Sequence, residues 1–210
     1  MADGTMEPLA AAAWSGGVSP YAVSHKKLGM WLFILSDSLT FSALLVGYSY
    51  VRVASGTWPT PFHFAPSIVG ATVMTFCLLS SSLTMVFGVA ASKRGDTKSA
   101  VRNILLTILG GLAFLVLHIN EWRNLIAEGV GLSQNPWGVP LFGGTFFTLT
   151  GLHMAHVASG VIYLAVIAWG VTTRRYGHDQ VEVSGLYWHF VDLVWMFIFP
   201  MVYLLSVSKA

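Results

Sequence analysis

Five apolar stretches dominate the chain, at residues 28–51, 68–91, 104–126, 142–171 and 186–207. A hydrocarbon core about 30 Å thick needs about 20 residues of helix at 1.5 Å per residue, and each stretch reaches that length. The pattern predicts an all-α integral membrane bundle of five transmembrane helices. An outer-membrane barrel would instead show alternating segments of about 10 residues. The third stretch is the least apolar, because His118, Asn120, Glu121 and Arg123 crowd its end. Breakers fill the connectors. Gly56, Pro59, Pro61 and Pro66 separate the first two spans, and residues 93–98, 129–140 and 174–184 separate the others. Pro200 in the fifth stretch predicts a kink or a freed carbonyl. Residues 1–27 read as a polar tail. Their apolar run, LAAAAW, is short and is followed by Gly, Ser and Pro, unlike a secretory signal. The expected organisation is a tail over 1–27 and one membrane domain over 28–210.

Composition supports lipid as the solvent. Hydrophobic residues make up 55% and charged residues 10%, where a soluble domain carries about 25% charged residues. A net charge of +2, spread between apolar runs, offers no patch for a nucleic-acid partner. The single cysteine, Cys77, excludes an intramolecular disulfide and a cysteine-based metal cluster. The basic residues act instead as topology signals. Lys26, Lys27, Lys93, Arg94, Lys98, Arg102, Arg174 and Arg175 fall on the N-terminal face, against Arg52, Arg123 and Lys209 on the other. The positive-inside rule then puts the N-terminus in the cytoplasm and the C-terminus in the periplasm.

Ionisable groups inside a bilayer are costly, at least about 2.5 kcal/mol each at mid-depth, so they are the candidate functional residues. Asp37 lies about 14 Å into the first span by rise alone, on one face with Thr40, Leu44 and Tyr48. It reads either as a proton-linked or headgroup-linked acid, or as a protonated Asp bonded to a neighbouring helix. By depth, Asp37 is closer to Asp192 than to His156. Glu121 ends the third span, where a structural hydrogen bond or an ion pair is expected. His153 and His156 share one side of the fourth span with Thr145, Leu149, Gly160 and Tyr163. Two histidines three apart could begin a metal site, but no cysteine or helical Glu partner joins them, and interhelical hydrogen bonding is the alternative. His189 and Asp192 share a face of the fifth span, where the acid could stabilise an imidazolium or fix a tautomer. A bis-histidine heme needs ligands at matching depth on facing helices. The histidine depths match poorly, although His118 and His153 come within reach if the spans tilt.

These residues carry a resemblance. FFTLTGLHMAHVASGVIYL resembles the fourth-span signature of subunit III of cytochrome c and quinol oxidases, with its core at Gly151, His153, His156 and Val157. LYWHFVDLVWMFIFPMVYL is similar to that family's last helix, through Tyr187, Trp188, His189, Phe190, Asp192 and Trp195. LGMWLFILSDSLTFSALL resembles the family's acid-bearing helix, and NEWRNLI carries Glu121 at the family's Glu position. The likeness runs from about Lys27 to the C-terminus. Two departures stand out. Five spans match the short bacterial form, without the helix pair that walls a lipid-filled cleft in the seven-helix form. The first-span acid is Asp37 after Ser36, which is similar to the quinol-oxidase branch.

The resemblance implies an accessory subunit of a heme-copper terminal oxidase, in a bacterial inner membrane. It implies that this chain binds no heme or copper. Those cofactors belong to partner subunits, where oxygen reduction is coupled to proton pumping. Expected partners are the large catalytic subunit, other oxidase subunits, phospholipids and, in one variant, a respiratory supercomplex. The subunit would hold lipids, support proton uptake and stabilise the large subunit over many turnovers. Trp31, Trp58 and Trp188, with Trp122, Trp137 and Trp169, fall near predicted interfaces, where indoles anchor helices or contact lipid. Alternatives are a homologue serving a nitric-oxide reductase, a small b-type membrane cytochrome, and a transporter. The transporter reading is opposed by the lack of an inverted repeat.

Overall fold

A computed structural model describes residues 24–208. Most of the expected tail, and Lys209 of the charge comparison, lie outside the described residues. The described part is five long helices: α1 (His25–Ala54), α2 (Val69–Lys93), α3 (Thr97–Ala127), α4 (Pro140–Thr172) and α5 (His178–Ile198). All five are long and apolar enough to cross a membrane. The fold is the multi-pass helical bundle that the apolar pattern predicts.

Helix ends differ from the apolar boundaries where polar residues continue a helix. α1 begins at His25 and not at 28, because Ser24 caps it by accepting from Lys27 N–H at 3.3 Å. The first helix therefore starts inside the expected tail. Lys27 also bonds Glu182 at 2.7 Å, tying the start of α1 to α5. α3 starts seven residues before its apolar stretch, capped by Asp96 through Ser99 N–H at 3.1 Å. α5 starts at His178, where Gln180 accepts from Gly177 N–H at 3.0 Å. At its far end, Pro200 sits in a π-type turn, Phe199–Tyr203, followed by a short turn, Leu204–Ser206. The proline cannot donate to the helical ladder, so the chain widens there.

α5 is the hub, packed on α1, α2 and α4, while α3 packs on α2 and α4. Half of the most apolar window of α5 is buried, against 6% for α1. Within α1 only Phe41 and Tyr48 are buried, so most of that helix faces outward. α2 and α5 are zipped together by hydroxyls. Thr75 accepts from Trp195 Nε1–H at 2.9 Å, Ser81 accepts from Trp188 Nε1–H at 3.0 Å, and Ser82 lies 2.6 Å from His189 Nδ1. Thr75 meets Trp195 while Ser81 and Ser82, further along α2, meet Trp188 and His189 earlier in α5, as antiparallel packing requires. Helix association in lipid has little hydrophobic drive, so such bonds and close packing hold the bundle.

Trp188 is clasped by glycines. A Cβ at Gly111 would stand 2.5 Å from Trp188 Cη2, and one at Gly160 would stand 3.0 Å from Trp188 Cζ3. Trp188 is therefore an interior residue, 1% exposed, and the expectation that it contacts lipid is corrected. The apolar pattern put the fifth span's start near it, whereas α5 begins ten residues earlier. Trp31 is exposed. Trp58 is half-buried, with its ring 5.5 Å from those of Tyr48 and Phe142. The C-terminal end is fastened by backbone bonds from Phe62 N–H to Ser206 and from Ser208 N–H to Phe62. Arg52 adds a bond to Ser206 Oγ at 2.9 Å and another to the Leu205 carbonyl.

Candidate functional site

Asp37 and His156 meet between α1 and α4, with Asp37 Oδ2 2.7 Å from His156 Nε2. Both side chains are mostly buried, at 18% and 16% exposure. By depth alone Asp37 is closer to Asp192, but the structure sets it against His156. α5 turns Tyr187 and Phe190 toward α1, with Phe33 near Tyr187 and Phe41 near Phe190. Asp192 lies two residues further on and adjoins Ser82 of α2.

The proton inventory of this pair follows from its neighbours. His156 Nδ1 lies 2.8 Å from the Leu152 carbonyl, which can only accept, so Nδ1 carries a hydrogen. Nε2 is then the atom that faces the carboxyl. A proton on Nε2 or on the carboxyl makes that contact attractive. Without one, lone pairs would oppose each other at 2.7 Å. The approach is close but off the line of a good hydrogen bond, and Asp37 Oδ2 has no directed partner. Proximity, more than hydrogen-bond geometry, defines the contact. Phe41 closes one side, its ring 5.2 Å from that of His156. Tyr187 of α5 donates to the His156 carbonyl at 3.0 Å and pairs with Ser159 at 2.8 Å, fixing this stretch of α4.

Deeper in the bundle stand His118 and His153, both 0% exposed. None of their four ring nitrogens has a hydrogen-bond partner among the described residues. Both imidazoles pack on the same two rings. Phe114 lies 5.3 Å from His118 and 5.6 Å from His153, and Trp195 lies 5.4 Å and 5.2 Å away. The two histidines are thus brought to one aromatic cluster, while His156 turns away to Asp37. No group of three or more His, Cys, Asp or Glu converges among the described residues.

Glu121 accepts from Tyr203 Oη–H at 2.9 Å, joining α3 to the end of α5. Its Oε1 has no partner among the described residues, and the side chain borders a groove of about 560 Å³ with Phe62, His63 and Asn124. His189 is held by Ser82 and not by Asp192. That hydroxyl adjoins both side chains, so α2 mediates the pairing expected within α5. The α2 hydroxyls were absent from the sequence-derived candidates. Their signal is a near-matched spacing: Thr75 and Ser81 are six residues apart, and their partners Trp195 and Trp188 are seven apart.

The chain is similar over most of its length to known proteins. A family model described as cytochrome c oxidase subunit III matches residues 9–207. The cytochrome c oxidase subunit 3 of Alkalihalophilus pseudofirmus is 32% identical, over 88% of each chain. The quinol oxidase subunit 3 of Bacillus subtilis is 34% identical, over 86% of this chain and 87% of that one. The cytochrome bo(3) ubiquinol oxidase subunit 3 of Pseudomonas aeruginosa is 31% identical, over 85% of this chain and 84% of its own. These matches span nearly the whole described bundle, and the chain belongs to the subunit III family of heme-copper terminal oxidases.

Proposed function

We propose that this chain is the accessory, redox-inactive third subunit of an inner-membrane terminal oxidase. It packs beside the large catalytic subunit, holds phospholipid, and supports proton uptake and the durability of its partner. Hemes and copper reside in the partner subunits, and electrons from cytochrome c or quinol enter there. The observation that carries this reading is how the intramembrane ionisable groups are engaged. Asp37 faces His156, Glu121 bonds Tyr203, and His189 bonds Ser82. They brace helices in pairs and do not converge as a ligand set. His118 and His153 come nearest to a bis-histidine arrangement, and Phe114 and Trp195 pack against both rings.

Asp37 then tunes the lipid-facing side of the complex and is not an obligatory proton carrier. Asp37→Asn keeps a polar group beside His156. Oxygen consumption by the assembled variant should begin at close to the unsubstituted rate and decay sooner during sustained turnover. Immediate loss of oxygen reduction in an intact complex would overturn this role.

A further inference from the structure

On the face that carries the α2–α3 and α4–α5 turns, a groove of about 940 Å³ runs down the outside of α3 beside the end of α4. Its rim holds three cations. Lys98 and Arg102 stand one turn apart on α3, and Arg174 follows α4 with a left-handed backbone, φ 56°. All three are exposed. None forms an ion pair or a side-chain hydrogen bond among the described residues. The rim also holds one carboxylate, Asp96, which is already engaged as the cap of α3. Hydrogen bonds from Ser99, side chain and backbone, hold its carboxyl below the usual carboxylate range. Three cations against one carboxylate leave a surplus of two positive charges, and the N-terminal end of α3 adds to that potential.

Below the rim the wall becomes apolar, with Leu105, Leu106 and Leu109 at 53%, 45% and 63% exposure. From Lys98 to Leu109 the helix rises about 16 Å. One leaflet of a bilayer is about 15 Å of hydrocarbon. The groove therefore pairs a cationic rim at the membrane surface with an apolar slot one leaflet deep.

We propose that this groove holds one anionic glycerophospholipid of the adjacent leaflet. Its phosphate sits among Lys98, Arg102 and Arg174, and an acyl chain lies along the leucines. Charge complementarity selects an anionic headgroup, and the matched depth selects a lipid over a soluble anion, which would leave the leucines uncovered. No residue of α1 lines the groove, so the site is separate from the Asp37–His156 pair. The inference rests on the membrane placement of the bundle and the lipid-holding role, and stands apart from the identity of the catalytic partner.

The test uses the full-length chain with the subunits it carries, in phosphatidylcholine vesicles doped with photoactivatable phosphatidylglycerol. Cross-linked peptides are mapped by mass spectrometry. Labelling is expected within residues 97–109 and 172–174, displaced by unlabelled phosphatidylglycerol and not by phosphatidylcholine or inorganic phosphate. Each of Lys98→Gln, Arg102→Gln and Arg174→Gln should weaken labelling about fivefold, and the triple variant about a hundredfold, at about one surface cation's worth each. Arg123→Gln, an exposed cation elsewhere, should leave labelling unchanged. These positions are exposed, so an unaltered thermal melt confirms that each variant is folded. Equal labelling of the triple variant overturns the proposal. Displacement by inorganic phosphate would make the rim a free-anion site, and a protein cross-link filling the groove would make it a subunit contact. Either result also overturns the proposal. Oxygen-reducing activity is not the readout, so failure here leaves the oxidase assignment standing.

Discussion

His156→Leu is expected to destabilise the bundle by about 3 kcal/mol, the cost of an unpaired acid inside a bilayer. The physical reason is the exposure of α1. That helix buries only Phe41 and Tyr48, and its mid-membrane polar contact is Asp37 against His156. Leucine fills the volume of the imidazole but offers Asp37 nothing. The acid must then neutralise, draw in water, or pull α1 out of register. Adding Asp37→Asn removes the source of that cost, so the double variant should recover most of the lost stability. The measurement is a double-mutant cycle on folded fraction in a denaturing-detergent titration. Strongly non-additive losses are predicted. Simple additivity would mean that the 2.7 Å approach contributes no coupling.

Trp195→Ala should cost about 3 kcal/mol, the lower end of the range for a buried Trp, because lipid penalises exposed apolar surface less than water does. Trp195 is 0% exposed and touches Phe114, His118, His153 and Tyr203. It also donates to Thr75. Its removal opens the aromatic cluster and cuts one tooth of the α2–α5 zip. Trp195→Phe separates the two contributions. It keeps most of the packing, and Thr75 retains its bond to the Ala71 carbonyl at 2.9 Å. That variant should lose about 1 kcal/mol, the scale of one interhelical hydrogen bond. The same titration reads both. Equal losses would show that the hydrogen bond, and not packing, governs the position.

Much of this architecture is written in the chain because lipid tolerates few solutions. Backbone groups must be satisfied within each span, so long apolar runs have to be helices. Helix ends were less legible. The first residues of α3, TKSAVRN, and of α5, HDQVEVSG, are polar, and hydropathy alone ends a span where such residues begin. That error carried Trp188 to a lipid interface in the sequence reading, whereas Gly111 and Gly160 enclose it. The partner of Asp37 was hidden for a different reason. Rise per residue fixes height along a helix to within a side chain's reach, but it does not say which face turns toward which neighbour. Asp192 and His156 are both within that tolerance, and only the packing of Tyr187 and Phe190 against α1 decides between them. The α2 hydroxyls were overlooked because Ser and Thr in a span usually bond their own helix, as Thr72 does with the Ile68 carbonyl.

The assembly itself offers the most direct test of an accessory, redox-inactive subunit. The chain should be tagged, purified from its native membrane in mild detergent, and examined by visible spectroscopy and mass spectrometry of its companions. A large heme-copper subunit that reduces oxygen is expected among them, with the heme absorbance retained by that subunit when the two are separated. Heme bound to the isolated chain, or the absence of any oxidase companion, would contradict it.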